Sequence, residues 1–193
     1  MSSPPLTLTL LLLNTILLVG MSISLAEGKS PASKHLPCPI EPYTDVDLNK
    51  VGGTWYAVRG IEHESIKQTS RQRNNNACPV ITLKLVDTRH IDFSYDSKNG
   101  SEPKHYNMTV KDPAHPSVWT TEKGTKKHVP FAKLQVNDMT ENSLALTMCG
   151  TQRLASVILS REKRFDGDIV EAVTKRLAGK GLNTTRSFDR CKT

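Results

Sequence analysis

The chain lacks the motifs of several large functional classes. It contains no Gly-rich phosphate loop and no Ser-His-Asp order placed in a recognisable nucleophile elbow. None of its six histidines forms a pair with helical zinc spacing. The net charge is +7, but the basic residues are dispersed and no long basic run occurs. We therefore expect no enzyme activity, no bound metal and no nucleic-acid partner.

Long apolar runs are absent except at the N-terminus. Leu6 to Leu25 is almost wholly apolar, and Ser24-Leu25-Ala26 supplies small residues for cleavage, although Lys and Arg are missing from the start. No later segment has 18 uninterrupted apolar residues. Residues 1–26 are therefore predicted to be a secretory signal peptide, with an uncleaved anchor as the alternative. The mature protein is expected to be secreted and extracellular, with no need of a membrane.

Cysteine is scarce but even in number. Removing 26 of the 193 residues leaves 167, enough for one domain, and the four cysteines Cys38, Cys78, Cys149 and Cys191 all lie in this part. An oxidising compartment predicts two disulfides, and the sequence leaves three connectivities open. We expect a flexible lead over 27–37 and a single, monomeric domain over 38–193.

Short β-branched and aromatic runs, broken by turn residues, fill the chain from Thr54 onward. Their spacing leaves no room for crossover helices, so the pattern predicts an antiparallel all-β fold. A long polar segment, Ser65 to Ala77, is predicted to be a mobile loop. The eight expected strands are Thr54–Glu62, Pro79–Asp87, His90–Tyr95, His105–Lys111, Ser117–Thr121, Val129–Asn137, Ser143–Cys149 and Arg153–Ser160.

The hydrophobic period becomes helical after the last strand. Asp166 is a candidate N-cap, Gly179 and Gly181 end the segment, and the apolar stripe comprises Ile169, Val170, Val173 and Leu177. This helix is predicted to pack on the outside of an eight-stranded up-and-down barrel. A two-sheet sandwich is the alternative, which a terminal helix disfavours.

Three different motifs follow one another along the chain. Gly53-Thr54-Trp55 is a G-x-W triplet at the head of the first strand, Val136 to Leu146 carries Asp138 in a turn segment, and Val157 to Arg161 ends the eighth strand. Together these motifs resemble the lipocalin family, over nearly all of 38–191. The resemblance is greatest to the arthropod extracellular branch, with its apolipoprotein-D-like, bilin-binding and triabin or nitrophorin groups.

The resemblance implies disulfides that the sequence alone leaves open. In those groups the first cysteine pairs with the third and the second with the fourth, which implies Cys38–Cys149 and Cys78–Cys191. It also implies a ligand-holding barrel with no obligatory cofactor, haem or bilin being candidate ligands. Haem would need an inward His, whereas strand alternation turns His90 and His105 outward.

Elementary chemistry gives the motif residues structural roles. Trp55 is expected to plug the closed end of the barrel, and Arg161 to lie across its ring in a cation–π contact. Asp138 is expected to organise its turn by satisfying backbone donors. Gly53 stands at the head of the same strand.

Alternation along the strands predicts the lining of the barrel. Three sequons are present, at Asn99, Asn107 and Asn183, and a glycosylated Asn107 must face outward. Its neighbours and the corresponding residues of other strands then face a small-molecule cavity. The predicted ligand-binding residues are Ala57, Arg59, Ile61, Leu83, Phe93, Tyr95, Tyr106, Met108, Trp119 and Phe131.

Two functions fit these expectations. The first is extracellular transport or sequestration of a small hydrophobic molecule in the barrel. The alternative is a triabin-like protein whose surface loops inhibit a host protein or bind a receptor. The sequence cannot separate the two, because a fold does not determine a function.

Overall fold

Consecutive strands form a meander. The computed structural model describes residues 46–65, 78–122, 131–150, 153–164 and 166–191. Within these ranges the elements are α1 (Leu48–Val51), β1 (Gly53–Ser65), β2 (Val80–Leu85), β3 (His90–Asp96), β4 (Lys104–Val110), β5 (Val118–Thr121), β6 (Lys133–Met139), β7 (Ser143–Cys149), β8 (Arg153–Ser160), α2 (Gly167–Gly179) and β9 (Arg186–Asp189).

Pairing of the first strand with two others closes the sheet. Strands β2 to β8 follow one another as antiparallel neighbours, and β1 pairs with β8 on one side and with β2 on the other. The β1–β2 register runs from Gly53 opposite Leu83 to Tyr56 opposite Val80. The result is an eight-stranded antiparallel up-and-down barrel with one extra strand and an outer helix, which confirms the predicted fold class.

The predicted strands correspond to the observed ones with small shifts. β7 and β8 have the predicted bounds, and β1 begins one residue earlier and ends three later than predicted. β6 begins at Lys133 rather than at Val129, which lies outside the described residues. The short helix α1 was not predicted. Asp47 caps it by accepting a hydrogen bond from the Asn49 backbone N–H.

The first strand changes partner halfway along its length. Beyond Tyr56 its free edge pairs with β9, from Arg59 opposite Asp189 to Glu62 opposite Arg186. The disulfide Cys78–Cys191 joins the residues that flank this change, since Cys78 precedes β2 and Cys191 follows β9. This predicted bridge is confirmed. Cys149 is also disulfide-bonded, but Cys38 lies outside the described residues, so the Cys38–Cys149 pairing stays a prediction.

Two apolar clusters lie on opposite faces of the barrel wall. The inner cluster fills the barrel around Trp55, Met108 and Trp119. The outer cluster joins β7 and β8 to α2 through Val170, Val173 and Leu177. Asp166 caps α2 as predicted, accepting from the Asp168 backbone N–H, whereas Ile169 is exposed rather than part of the buried stripe.

The described residues belong to one compact unit, Lys34–Thr193. Among them, no helix has the length and the apolar character needed to cross a bilayer. The predicted signal peptide, the lead over 27–37 and most of the long first loop lie outside the described ranges.

Candidate functional site

Trp55 closes the end of the barrel at which β1 begins. Its side chain is fully buried, and its indole N–H donates to the Val51 carbonyl of α1 at 2.8 Å. The Arg161 guanidinium carbon lies 3.5 Å from the centroid of the Trp55 ring. The predicted plug and its cation–π contact are therefore both present.

Arg161 ties three segments of backbone together at this closed end. Its Nη2 donates to the carbonyls of Lys50 (2.9 Å) and Gly52 (2.8 Å), and its Nη1 donates to that of Thr54 (3.1 Å). Partial burial lowers the pKa of the guanidinium from its ordinary value. Gly53 makes room for it, because a Cβ there would lie 2.8 Å from Arg161 Nη1. Gly53 and Arg161, which both belong to the motifs, thus fit one another sterically.

Three aromatic rings face one another inside the barrel, and we call them the aromatic trio: Phe93, Tyr106 and Phe131. The Tyr106 and Phe131 centroids are 5.4 Å apart, and Phe93 lies about equally far from both, at 6.0 and 5.9 Å. Their tilted and edge-on geometries are those that aromatic quadrupoles favour. Burial raises the pKa of the Tyr106 hydroxyl, and the neighbouring Tyr95 raises it further.

Exposure within the inner cluster is graded. Trp55, Ala57, Met108 and Trp119 have no accessible surface, while the members of the aromatic trio keep 5–7%. A residue without accessible surface touches no space large enough for water. Space large enough for water therefore does not reach Trp55, whereas it reaches the trio and, in the same cluster, Val46 (8%) and Val157 (6%).

Most of the predicted lining occupies the inner cluster. The residues placed there are Ala57, Leu83, Phe93, Tyr106, Met108, Trp119 and Phe131, with Tyr95 partly buried against them. Trp119 also satisfies its indole N–H, which donates to the Pro116 carbonyl at 2.8 Å. Parity from Trp55 and Asn107 therefore placed Ala57, Tyr106 and Met108 correctly, and apolar alternation did the same for Leu83, Phe93 and Tyr95. The ligand-binding role of these residues stays a prediction.

The predictions for Arg59 and Ile61 were wrong. The β1–β8 register shifts between Ala57 and Arg59, so that Arg59 lies opposite Ile158, a member of the outer cluster. Arg59 Nε is 2.7 Å from Asp189 Oδ1 of β9, and Ile61 packs in the outer cluster. A bulge adds one residue to the strand, which reverses the faces of the residues that follow it, as far as a second register shift between Glu62 and Glu64.

Six of the nineteen buried residues of the inner cluster come from three strands for which the prediction named only Phe131, in the predicted sixth strand. These strands are β6, β7 and β8, and their inward residues are Leu134, Val136, Leu144, Leu146, Val157 and Leu159. Helix α2 covers the outer face of this wall, so both faces are buried. The polarity of the residues therefore does not show which of them point into the barrel. The alternation of the large residues Leu144 and Leu146 with the smaller Ala145 and Thr147 could have identified the inward residues of β7.

Asp138 does not have the role predicted for it. Its carboxylate accepts from Arg176 of α2, from Nε at 3.1 Å and from Nη2 at 2.6 Å. The turn is organised instead by Thr140, whose Oγ1 accepts from the Ser143 backbone N–H at 3.0 Å. Asp138 therefore anchors the helix to β6 rather than shaping the hairpin.

A polar cleft lies at the closed end, outside the barrel. It encloses about 710 Å³ between α1 and the β6–β7 turn, with Arg161 among its lining residues. Lys50 and Arg161 are balanced there by Asp47 and Glu141. With both signs of charge present, the cleft has no marked preference for a charged ligand.

The sequons and several histidines lie at exposed positions, Asn107 on β4, Asn99 in the β3–β4 turn and Asn183 in the α2–β9 connection. Asn99, Asn107 and Asn183 are all exposed. His90 and His105 are exposed as well, in agreement with the outward parity predicted for them. Within the described ranges, no group of three or more His, Cys, Asp or Glu side chains is arranged to hold a metal ion.

No protein-family model matches the chain, and no curated protein matches it at a significant level.

Proposed function

We propose that the barrel binds a small hydrophobic molecule beside the aromatic trio, and that the protein carries or sequesters this molecule outside the cell. The observation that carries the proposal is the graded exposure of the inner cluster. One end is filled by Trp55, whereas Phe93, Tyr106 and Phe131 keep 5–7% of their surface, as Val157 does with 6%. An apolar lining with a few polar tips is typical of small-molecule sites.

The extracellular location has support of its own. The Cys78–Cys191 disulfide fits an oxidising compartment. The three sequon asparagines are exposed, so their position is compatible with the glycosylation that we propose there. The barrel, its outer helix and the Gly53–Trp55–Arg161 contact are compatible with the lipocalin family, to which we propose that the chain belongs.

Fluorescence titration with the neutral apolar probe N-phenyl-1-naphthylamine tests the binding site. We expect the wild-type protein to enhance probe emission with saturation at one site. Phe131→Ala should raise the Kd by roughly tenfold, because burying an aromatic ring contributes on the order of 1.5–3 kcal/mol. Ser94→Ala is the matched control: it neighbours Phe93 on β3 but lies on the other face. It should leave the Kd unchanged.

Native mass spectrometry of protein taken from its source tissue extends the test to the natural ligand. We expect a small apolar adduct that organic solvent removes. A protein that carries no adduct and fails to bind the probe would contradict the proposal. That result would favour the alternative, in which the barrel is a scaffold for surface loops that bind a host protein.

A further inference from the structure

A chain of buried polar groups crosses the outer face of the barrel wall, from β6 to β1. Asn137 Nδ2 donates to Thr147 Oγ1, and the hydroxyl oxygens of Thr147 and Ser156 are 2.6 Å apart. Ser156 Oγ lies 2.7 Å from His63 Nε2, and His63 Nδ1 lies 3.1 Å from the Asn183 carbonyl. His63 is only 4% exposed and the other three side chains are buried at least as fully. Burying polar groups is costly unless they are hydrogen-bonded, and within this set only Asn137 Oδ1 has no partner.

The hydrogen-bonding chemistry of the end groups determines which atom donates and which accepts in each contact of this series. A carbonyl oxygen only accepts, so His63 Nδ1 must carry a hydrogen that it donates to Asn183. In the neutral imidazole Nε2 then accepts from the Ser156 hydroxyl. Ser156 accepts from Thr147, which in turn accepts from Asn137. Each contact has one donor and one acceptor, and this orientation of the Asn137 amide goes with a neutral His63 in the Nδ1–H tautomer.

A second proton on His63 conflicts with this arrangement. Nε2–H would point at Ser156 Oγ, so both hydroxyls would have to reverse and the Asn137 amide would have to turn its Oδ1 towards Thr147. Burial lowers the pKa of His63, and hydrogen bonds to the carbonyls of Asn183 and Leu182 oppose the change only in part.

Among the side chains that the structure describes, the charged groups on the surrounding elements do not provide a counter-ion for His63. Lys180, at the end of α2, donates to the Asn137 carbonyl at 2.7 Å and is itself a cation. Glu62 of β1 and Arg186 of β9 stand opposite each other in the register. None of these charges is among the causes of the shifted His63 pKa, which are burial and two backbone carbonyls.

We propose that His63 is an acid-sensitive release point for the α2–β9 connection, residues 180–185. This connection is held to β1 by His63 and by Thr185, whose backbone N–H and Oγ1 both donate to the Glu62 carbonyl at 2.8 Å. Opening it would expose the imidazole to water and also uncover Leu182, which is fully buried in the outer cluster. Protonation therefore favours the open form.

The direction of the pH effect follows from proton binding. A histidine with a lowered pKa in the closed state binds fewer protons there than in the open state. Lowering the pH below about 6.5, the ordinary pKa of histidine, thus shifts the equilibrium towards opening. The shift grows until the pH reaches the closed-state pKa, and above about 7.5 it vanishes.

Hydrogen exchange with the disulfides intact tests the release. After correction for the intrinsic rate, exchange at the Leu182 and Thr185 amides should rise from pH 7.5 to pH 5.0, by at most roughly thirtyfold, since pH 5.0 lies about 1.5 units below the ordinary histidine pKa. In His63→Gln, which cannot titrate, this rise should disappear. His115→Gln, which replaces an exposed histidine beside Asp112, should keep it.

NMR of wild-type His63 provides a second test that needs no variant. We expect the Nδ1–H tautomer at pH 7.5. An Nε2–H tautomer, or a His63 that is already protonated at pH 7.5, would overturn the proposal. So would an equal exchange response in the wild type and in His63→Gln.

Discussion

Gly53 combines two constraints at a single residue. Its φ of +107° is disfavoured for residues with a side chain, and an added Cβ would lie 2.8 Å from Arg161 Nη1. We predict that Gly53→Ala lowers the free energy of unfolding by about 1–3 kcal/mol, measured by urea denaturation. Gly167→Ala is the control, because its Cβ would meet nothing within 4 Å and Gly167 begins a helix. An equal loss in both variants would contradict the steric argument.

Arg161 cannot be replaced by another cation without loss. A lysine carries a point charge and cannot reach three carbonyls with a planar fork, nor stack on Trp55 in the same way. We predict that Arg161→Lys lowers the free energy of unfolding by about 2–3 kcal/mol, with Arg164→Lys, at an exposed position, as the control. Trp55 emission should shift to the red in Arg161→Lys alone.

The residue-scale predictions succeeded where alternation is regular and failed where it breaks. Trp55 and Arg161 are in contact as expected, and parity from Asn107 placed Tyr106 and Met108 correctly. Arg59 lies past a bulge, and the residue types around it contain no signal for an inserted residue. Such an insertion depends on pairing with two partner strands at once, which is a property of the assembled sheet.

At the scale of elements, turn residues determined most of the boundaries. Asn142 and Gly150 flank β7, whose predicted and observed bounds agree. α1 has four residues, too few for a detectable helical period. The contact between Asp138 and Arg176 joins residues 38 positions apart, so sequence spacing could not indicate it.

Helix α2 is attached mainly by its apolar stripe. Leu177 is fully buried in the outer cluster, whereas Ile169 on the same helix is 42% exposed. We predict that Leu177→Ala lowers the free energy of unfolding by about 2–5 kcal/mol and that Ile169→Ala changes it by less than about 0.5 kcal/mol. Chemical denaturation monitored by far-ultraviolet circular dichroism measures both. Comparable losses would mean that the helix is held by its polar contacts, including Asp138–Arg176.

For the whole molecule, closure of the barrel depends on a seam where β1 leaves β2 and joins β9. The Ala57 backbone N–H donates to the Pro79 carbonyl, and the Arg190 N–H donates to that of Val58, both at 2.9 Å. The Cys78–Cys191 disulfide spans the same place and links residues 113 positions apart. Strand pairing and the covalent bond thus hold one seam together.

Replacing Cys78 and Cys191 by alanine separates the contribution of the disulfide from that of strand pairing. We predict a loss of about 2–5 kcal/mol in the free energy of unfolding, because the unfolded chain regains the freedom that a long closed loop removes. Native-state hydrogen exchange should accelerate at the Ala57 and Arg190 amides more than at Thr140, which donates to the Ser143 carbonyl in the distant β6–β7 turn. If all three amides accelerate equally, the bridge stabilises the protein as a whole. Selective acceleration at the first two would show that the disulfide closes the barrel locally.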